Sequence, residues 1–341
     1  MADYKTIHGT KVRSYTTDPD NPITGEVWYD KTNNVLQFQA AGAGSWATGG
    51  TMNTERRASA GVGRVNNSAA LSVGGRLTSA SFTASPQFAA SAVNESYNGT
   101  AWTEVADLNT ARDQMASGGT VTSALVAGGN PSPVTGKTES WNGTSFSEVA
   151  DLNTAREGSE GGISSNSSGL AFGGGPYPSG VAITEKWNGT SWTEVADLNT
   201  ARTFLNGNGK ADDALAYGGN NGSTFYNNTE TWNDTSWAEV ADLSFARGGG
   251  GTAGIDKTSA LVFGGYNLSP GDVRTVKVEL WNGSGWSEQA DLSGPAHHQM
   301  SGSGTSASAL AFTGEGPGNQ GRTATEEWSN PTLTVKTADT D

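Results

Sequence analysis

Residues 187–202 read WNGTSWTEVADLNTAR. Close copies of the same sixteen residues occur four more times: YNGTAWTEVADLNTAR from Tyr97, WNGTSFSEVADLNTAR from Trp141, WNDTSWAEVADLSFAR from Trp232 and WNGSGWSEQADLSGPA from Trp281. Other landmarks keep step with them. A short apolar run ends in glycine at Gly75, Gly129, Gly174, Gly219 and Gly265, with a decayed copy at Gly314. An aromatic follows at Tyr97, Trp141, Trp187, Trp232, Trp281 and Trp328, and a second stands five residues later at Trp102, Phe146, Trp192, Trp237 and Trp286. Ten residues on come Arg112, Arg156, Arg202 and Arg247; the last copy has Ala296 there, with His297 beside it. The period of roughly 45–55 residues lies in the range of propeller and solenoid repeats.

Each unit carries strand signals. An aromatic, an Asn-Gly or Asn-Asp pair and a second aromatic make a hairpin, because Asn-Gly supplies the positive φ angles of a tight turn. A Gly-Gly pair ends a buried strand where a side chain would block close backbone approach. Each unit therefore offers four short strands: a after the Arg, b ending in Gly-Gly, c with the first aromatic and d with the second. One such sheet cannot bury its aromatic faces; six packed radially cover one another. Trp46 stands ten residues before Arg56, the interval of Trp192 to Arg202, and has no strands a to c before it. It is expected to supply strand d of the sixth blade, closing the ring; the rival for that place is the tail near Leu333, whose residues 332–336 otherwise add a fifth strand or pair with the N-terminal module.

Bulk properties exclude several classes. Of 341 residues only 34% are hydrophobic, while 48 are Gly and 11 are Trp, poor material for a helical core. The formal charge of −14 argues against nucleic acid as a partner. No cysteine is present, which excludes disulfides, thiolate metal sites and Cys nucleophiles. No apolar run has the length of a membrane span or a signal peptide, so synthesis in the host cytoplasm without a signal peptide, and no membrane insertion, are expected.

Gly-Gly after an apolar strand, a Glu two residues before an aromatic, a Trp soon after and an Arg before the next unit together resemble the kelch repeat of β-propellers, over residues 44–330. The resemblance implies an all-β, six-bladed kelch-like propeller. Some kelch-like propellers are copper oxidases built on a Tyr–Cys crosslink, a chemistry this chain lacks the cysteine to perform. The phrase Gly25-Glu26-Val27-Trp28-Tyr29-Asp30, followed by a polar turn, a second strand and Gly-Ser-Trp, resembles short modules of bacteriophage tail fibres and virion appendages. The organisation expected is an attachment module over 1–43, a propeller over 44–330 and a tail over 331–341.

The repeated acids Glu95, Glu139, Glu185, Glu230, Glu279 and Glu326 are read as structural partners of Arg56, Arg112, Arg156, Arg202 and Arg247 between blades. They recur in every unit, whereas catalysis needs one asymmetric site. Asp107, Asp151, Asp197, Asp242 and Asp291 are expected to organise the d-to-a turn through local backbone bonds. The Asn-X-Thr/Ser triplets are read as turns. His297 and His298, being neighbours on a strand, point apart and make a poor metal pair; they are read as drifted packing positions. The b-to-c connections vary most and hold Phe82, Phe88, Tyr177, Phe225, Tyr226 and Tyr266 among Ser, Asn and Pro, a composition suited to stacking on sugar rings. Val27, Trp28, Tyr29, Leu36 and Phe38 are the attachment candidates.

The function expected is a non-enzymatic virion protein without cofactor or metal. It would be a tail fibre, spike or capsid decoration at the virion surface, held to other virion proteins by residues 1–43, with the propeller adhering to a host-surface glycan or protein. A homo-oligomer is compatible with this, although no coiled-coil heptads enforce one. The alternatives are a polysaccharide-acting enzyme, for which Asp212, Asp213, Asp256 and Asp272 are the candidate acids, and an intracellular kelch adaptor.

Overall fold

The computed structural model describes residues 12–17, 27–41, 44–77, 89–176, 178–267, 273–316, 321–330 and 333–337. The chain forms two compact units: residues 1–45 with 330–341, and Trp46–Ser329. No helix occurs among the described residues.

The larger unit contains six four-stranded antiparallel sheets. In the first, strands a to d are Ala60–Val62, Ala70–Val73, Asn94–Tyr97 and Trp102–Val105. The second comprises Ala116–Thr120, Ser123–Ala127, Thr138–Trp141 and Phe146–Val149. The third runs from Glu160–Gly161 to Trp192–Val195, the fourth from Asn206–Lys210 to Trp237–Val240, and the fifth from Gly251–Asp256 to Trp286–Glu288. The sixth takes strands a to c from Ser301–Thr305, Ser308–Phe312 and Glu326–Ser329, and its fourth strand is Ser45–Thr48 from the N-terminal side. Trp46 stacks against Trp328 and Phe263 there, and its Nε1 donates to the Ala290 carbonyl at 3.1 Å.

The repeated sentence makes the joint between sheets. Trp192 in strand d of the third sheet donates from Nε1 to Thr138 Oγ1 in strand c of the second, at 3.1 Å. Trp237 does the same to Thr184, Trp286 to Thr229, and Trp102 to Thr325 of the sixth sheet. Each pair of neighbouring sheets shares one apolar cluster. The cluster of Ala70, Tyr97, Trp102, Leu310 and Phe312 joins the first sheet to the sixth and completes the circuit. The first aromatics of the repeat, Trp187, Trp232 and Trp328 among them, are fully buried and add large apolar area to these clusters.

A second circuit runs through the backbone. Ala58, Gln114, Gly158, Phe204, Gly249 and Gln299 each lie just ahead of a strand a, and all six have φ between 50° and 62°. Gln114 N donates to Ala58 O, Gly158 N to Gln114 O, Phe204 N to Gly158 O and Gly249 N to Phe204 O, at 2.9–3.0 Å. Met300 N to Gly249 O and Ala58 N to Gln299 O close the loop. Four of the six are not glycine, and a side chain in this region costs about 1 kcal/mol or more. The ring of hydrogen bonds is what holds them there.

In the smaller unit, Val27–Asp30 and Val35–Ala41 form the expected hairpin, with Asp30 accepting from the Thr32 and Asn33 amides in its turn. Arg13–Tyr15 adds a parallel strand on one side. Leu333–Thr337 pairs antiparallel with Val35–Ala41 on the other, so residues 333–337 are a strand of this unit and not a separate tail.

Candidate functional site

In an antiparallel sheet the a–b and c–d turns share one end, and the d-to-a and b-to-c connections share the other. The repeated Arg–Glu pairs lie near the second end. Arg56 meets Glu95 at 3.0 Å, Arg112 meets Glu139 at 3.2 Å, Arg156 meets Glu185 at 3.3 Å, Arg202 meets Glu230 at 3.0 Å and Arg247 meets Glu279 at 2.6 Å. All ten side chains are buried. Each carboxylate also accepts backbone amides from the incoming d-to-a loop, as Glu139 does from Asn109 and Thr110. Burial lowers the basicity of each of these guanidiniums, and its carboxylate partner opposes that loss. Such pairs fix register more than they add stability.

The sixth sheet solves the same problem with a different residue. Its d-to-a loop is one residue longer, so the Gly265 amide bonds the carbonyl of His297 where Gly219 bonds that of Arg247. His297, not Ala296, therefore holds the Arg position, and Arg322 supplies the guanidinium to Glu326. Nothing repeated in the sequence marks Arg322. Asp151 and Asp197 reach the amides of Thr138 and Thr184 at the start of strand c rather than bonding within their own turn.

Two columns of non-repeating residues line this mouth. The residue after each Arg position is Arg57, Asp113, Glu157, Thr203, Gly248 or His298. Each is bridged to the residue after a glycine pair: Arg76, Asn130, Gly175, Asn220, Tyr266 and Glu315 in turn. The repeat places these twelve positions equivalently, yet their chemistry differs in every sheet. Arg76 pairs with Asp113, Arg57 with Glu315, and the Asn130 amide with Glu157. Arg274 donates from Nε to His298 Nδ1 at 2.9 Å and lies 3.9 Å from Glu315. Burial, with Arg274 and Arg57 alongside, pushes His298 down to about 3, so its imidazole is neutral. Burial pushes Asp113 up to about 6 against the pull of Arg76.

Of the aromatic candidates, Phe225 and Tyr266 come together at this mouth, edge to face at 4.9 Å, and Tyr266 stacks on His298 at 4.6 Å. Both are half-buried. Tyr226 is turned to its own loop, its hydroxyl accepting from Asn221 at 2.8 Å. Phe82, Phe88 and Tyr177 lie outside the described residues. Asp213 and Asp256 serve a–b turns at the opposite end, accepting from the Lys257 and Thr258 amides. Asp212 is exposed on the same kind of turn, and Asp272 lies outside the described residues. Below the mouth, Ser59, Met115, Glu160, Gly250 and Met300 border both halves of an axial channel whose deeper half holds about 60 Å³.

In the smaller unit Val27 pairs with Phe38 and Tyr29 with Leu36, so strand alternation places all four on one face. Val27 is exposed and the other three are half-buried. Trp28, on the opposite face, is buried and donates to Gln37 Oε1 at 3.1 Å.

The circular order of four-stranded sheets around a channel defines a β-propeller. The chain is similar to the solved structure of YjhT, with a TM-score of 0.64 and 15% identity, over 85% of this chain and 99% of that one; at this identity the likeness shows the fold alone. No protein-family model matches the chain, and no curated protein matches it in sequence.

Proposed function

We propose that this chain is a non-enzymatic virion protein of the kelch-like propeller class, displaying its propeller for adhesion to a host-surface glycan. The smaller unit, with Val27, Tyr29, Leu36 and Phe38 on one face, is the part that joins other virion proteins. One observation carries the reading of the propeller. The six Glu that repeat in strand c are all engaged in buried ion pairs, whereas the two columns that vary from sheet to sheet line the mouth, where Phe225 and Tyr266 lie beside the Asn220 amide and a charged network. Aromatic faces take up sugar rings, and amides with fixed charges bond hydroxyls.

The test is binding of purified host-surface polysaccharide to the full chain, with Tyr266→Ala and Phe225→Ala. Adhesion predicts that each variant weakens binding at least tenfold while Tm stays within about 3 °C. Binding unchanged in both variants overturns the mouth as the site. Absence of the chain from purified particles overturns the virion assignment.

A second reading, hydrolysis of the polysaccharide, is favoured by one feature: Asp113, a buried carboxyl with its titration raised toward neutrality at the mouth. Release of reducing ends during the same incubation, lost in Asp113→Asn, would replace adhesion with catalysis.

A further inference from the structure

Arg64 is an arginine that the repeat does not reproduce: Thr120, Lys210, Ile255 and Thr305 stand at the matching place in four other sheets. It follows strand a of the first sheet, at the a–b end of the channel, and reaches across the axis. Its Nη1 donates to the Gly209 carbonyl of the fourth sheet at 2.8 Å and to the Gly254 carbonyl of the fifth at 3.1 Å. Its Nη2 donates to the Gly161 carbonyl of the third at 3.2 Å. Gly118 of the second sheet borders the fork: a Cβ there would stand 2.5 Å from the Ile163 carbonyl and 2.8 Å from Nη2. The adjacent Gly63 carbonyl accepts from Gly304 N of the sixth sheet at 2.6 Å. Residues 63 and 64 thus bond to the third, fourth, fifth and sixth sheets.

The carbonyls are aimed at the axis for a backbone reason. Gly209 and Gly254 have φ of +125° and +153°, a conformation that favours glycine, and at Gly254 the pairing of strand a with strand b also slips. Three carbonyl oxygens from three sheets, converging on one axis, are a set of acceptors for one cation with several N–H donors.

We propose that the axis of this propeller is a binding site for a planar guanidinium cation, and that Arg64 is its tethered occupant. The tether does two things. It fastens the innermost strands of the third, fourth and fifth sheets to the first, across the ring and not around it. It also stops the channel at the a–b end, so a ligand entering at the mouth meets a floor. The guanidinium suits this place better than an ammonium because it satisfies three acceptors in one plane while losing less hydration. Burial lowers Arg64 to about 10, which leaves it charged at neutral pH.

The experiment is chemical rescue of the full-length chain. Arg64→Ala removes the cation and leaves its acceptors; Arg64→Lys keeps the charge without the fork. Thermal unfolding is followed with guanidinium chloride at 0 to roughly 20 mM, far below denaturing levels, against sodium chloride at equal ionic strength. Loss of three charge-assisted bonds predicts a fall in Tm of roughly 5–10 °C for Arg64→Ala and a smaller fall for Arg64→Lys. Guanidinium should restore at least half of the loss in Arg64→Ala while leaving the unsubstituted chain unchanged, and sodium should restore none. If Arg64→Ala does not fold in sodium chloride, the same guanidinium-specific recovery is read as the yield of folded Arg64→Ala after refolding in guanidinium against sodium. Equal responses of variant and unsubstituted chain to guanidinium, recovery by sodium as well, or a variant as stable as the parent would each overturn the proposal.

Discussion

Arg322 lies against Glu326, four residues further along the chain, and both are buried at the place where every other sheet brings an arginine from the preceding loop. The carboxylate is the invariant part of this joint; the guanidinium that answers it can arrive by either route. Burial alone would raise Glu326, but hydrogen bonds from Ser293 and Arg322 outweigh it and hold the carboxyl below its ordinary value.

Arg322→Ala is therefore expected to destabilise the propeller as much as Arg202→Ala does, by about 3–5 kcal/mol, because each leaves a buried carboxylate unpaired. Urea unfolding of the two variants checks this. A depressed carboxyl gives stability that is present above its unfolded value of 4.5 and lost as pH falls through the lower folded value. Arg322→Ala should flatten that acid limb.

The indole bridge between sheets admits a double-mutant cycle. Trp192 donates to Thr138 Oγ1 where neither group meets water. Thr138→Val should cost about 1–3 kcal/mol, since it strands a buried N–H. Thr138→Val combined with Trp192→Phe should cost less than the sum, with a coupling of about 1 kcal/mol. Strict additivity would mean that the bond contributes nothing to the joint.

The left-handed ring ahead of the a strands stores strain at its non-glycine members. Ala58 has φ of 52°, so Ala58→Gly removes about 1–2 kcal/mol of strain and adds about 0.4–1 kcal/mol of unfolded-state entropy. The expected net gain is roughly 0.5 kcal/mol, read as a shift in the urea midpoint. Gly158→Ala should go the other way by more than about 1 kcal/mol, because its Cβ would also stand 2.6 Å from Thr203 Oγ1.

Glu160 in the channel gives the folded state a pH signature. Burial raises its carboxyl to about 8, against 4.5 in the unfolded chain. Between those values folding takes up a proton, so stability falls as pH rises, by at most about 1.4 kcal/mol per pH unit. Glu160→Gln should remove this slope and make the variant more stable than the parent at pH 8. A parent whose Tm is flat from pH 5 to 8 would show that the carboxyl is already ionised in the channel.

The strand order, the hairpin turns and the Glu–Arg pairing were all legible because each is written five or six times in the same order. Repetition removes the ambiguity of a short apolar run: the Trp of WNGTSW alone could belong to many folds, but its return beside the same Gly-Gly and Arg admits few. The mouth was legible only in part. Phe225 and Tyr266 stood out as aromatics in variable loops. His298 stood out only as half of a poor metal pair. Arg57, Asp113, Glu157, Arg274 and Glu315 did not stand out, although reading the single column after each Arg position would have shown Arg, Asp, Glu, Thr, Gly and His in succession. Arg322 carried no such column, and that of Arg64 runs Arg, Thr, Lys, Ile and Thr, with no chemistry in common.

The amino-acid sequence by itself determined the all-β class, the repeat unit, the four strands within each unit and the chemistry of the joints, because these depend on residues close in the chain or repeated along it. The interval from Trp46 to Arg56 already favoured the N-terminal strand for the sixth sheet over its rival near Leu333, and the structure settled that choice; tertiary structure alone decided which residues share the mouth and that one arginine reaches across the axis to three other sheets. The reason is closure. A ring brings together positions separated by up to two hundred residues or more, and the side chains that meet there are set by the geometry of the circle and not by any local pattern.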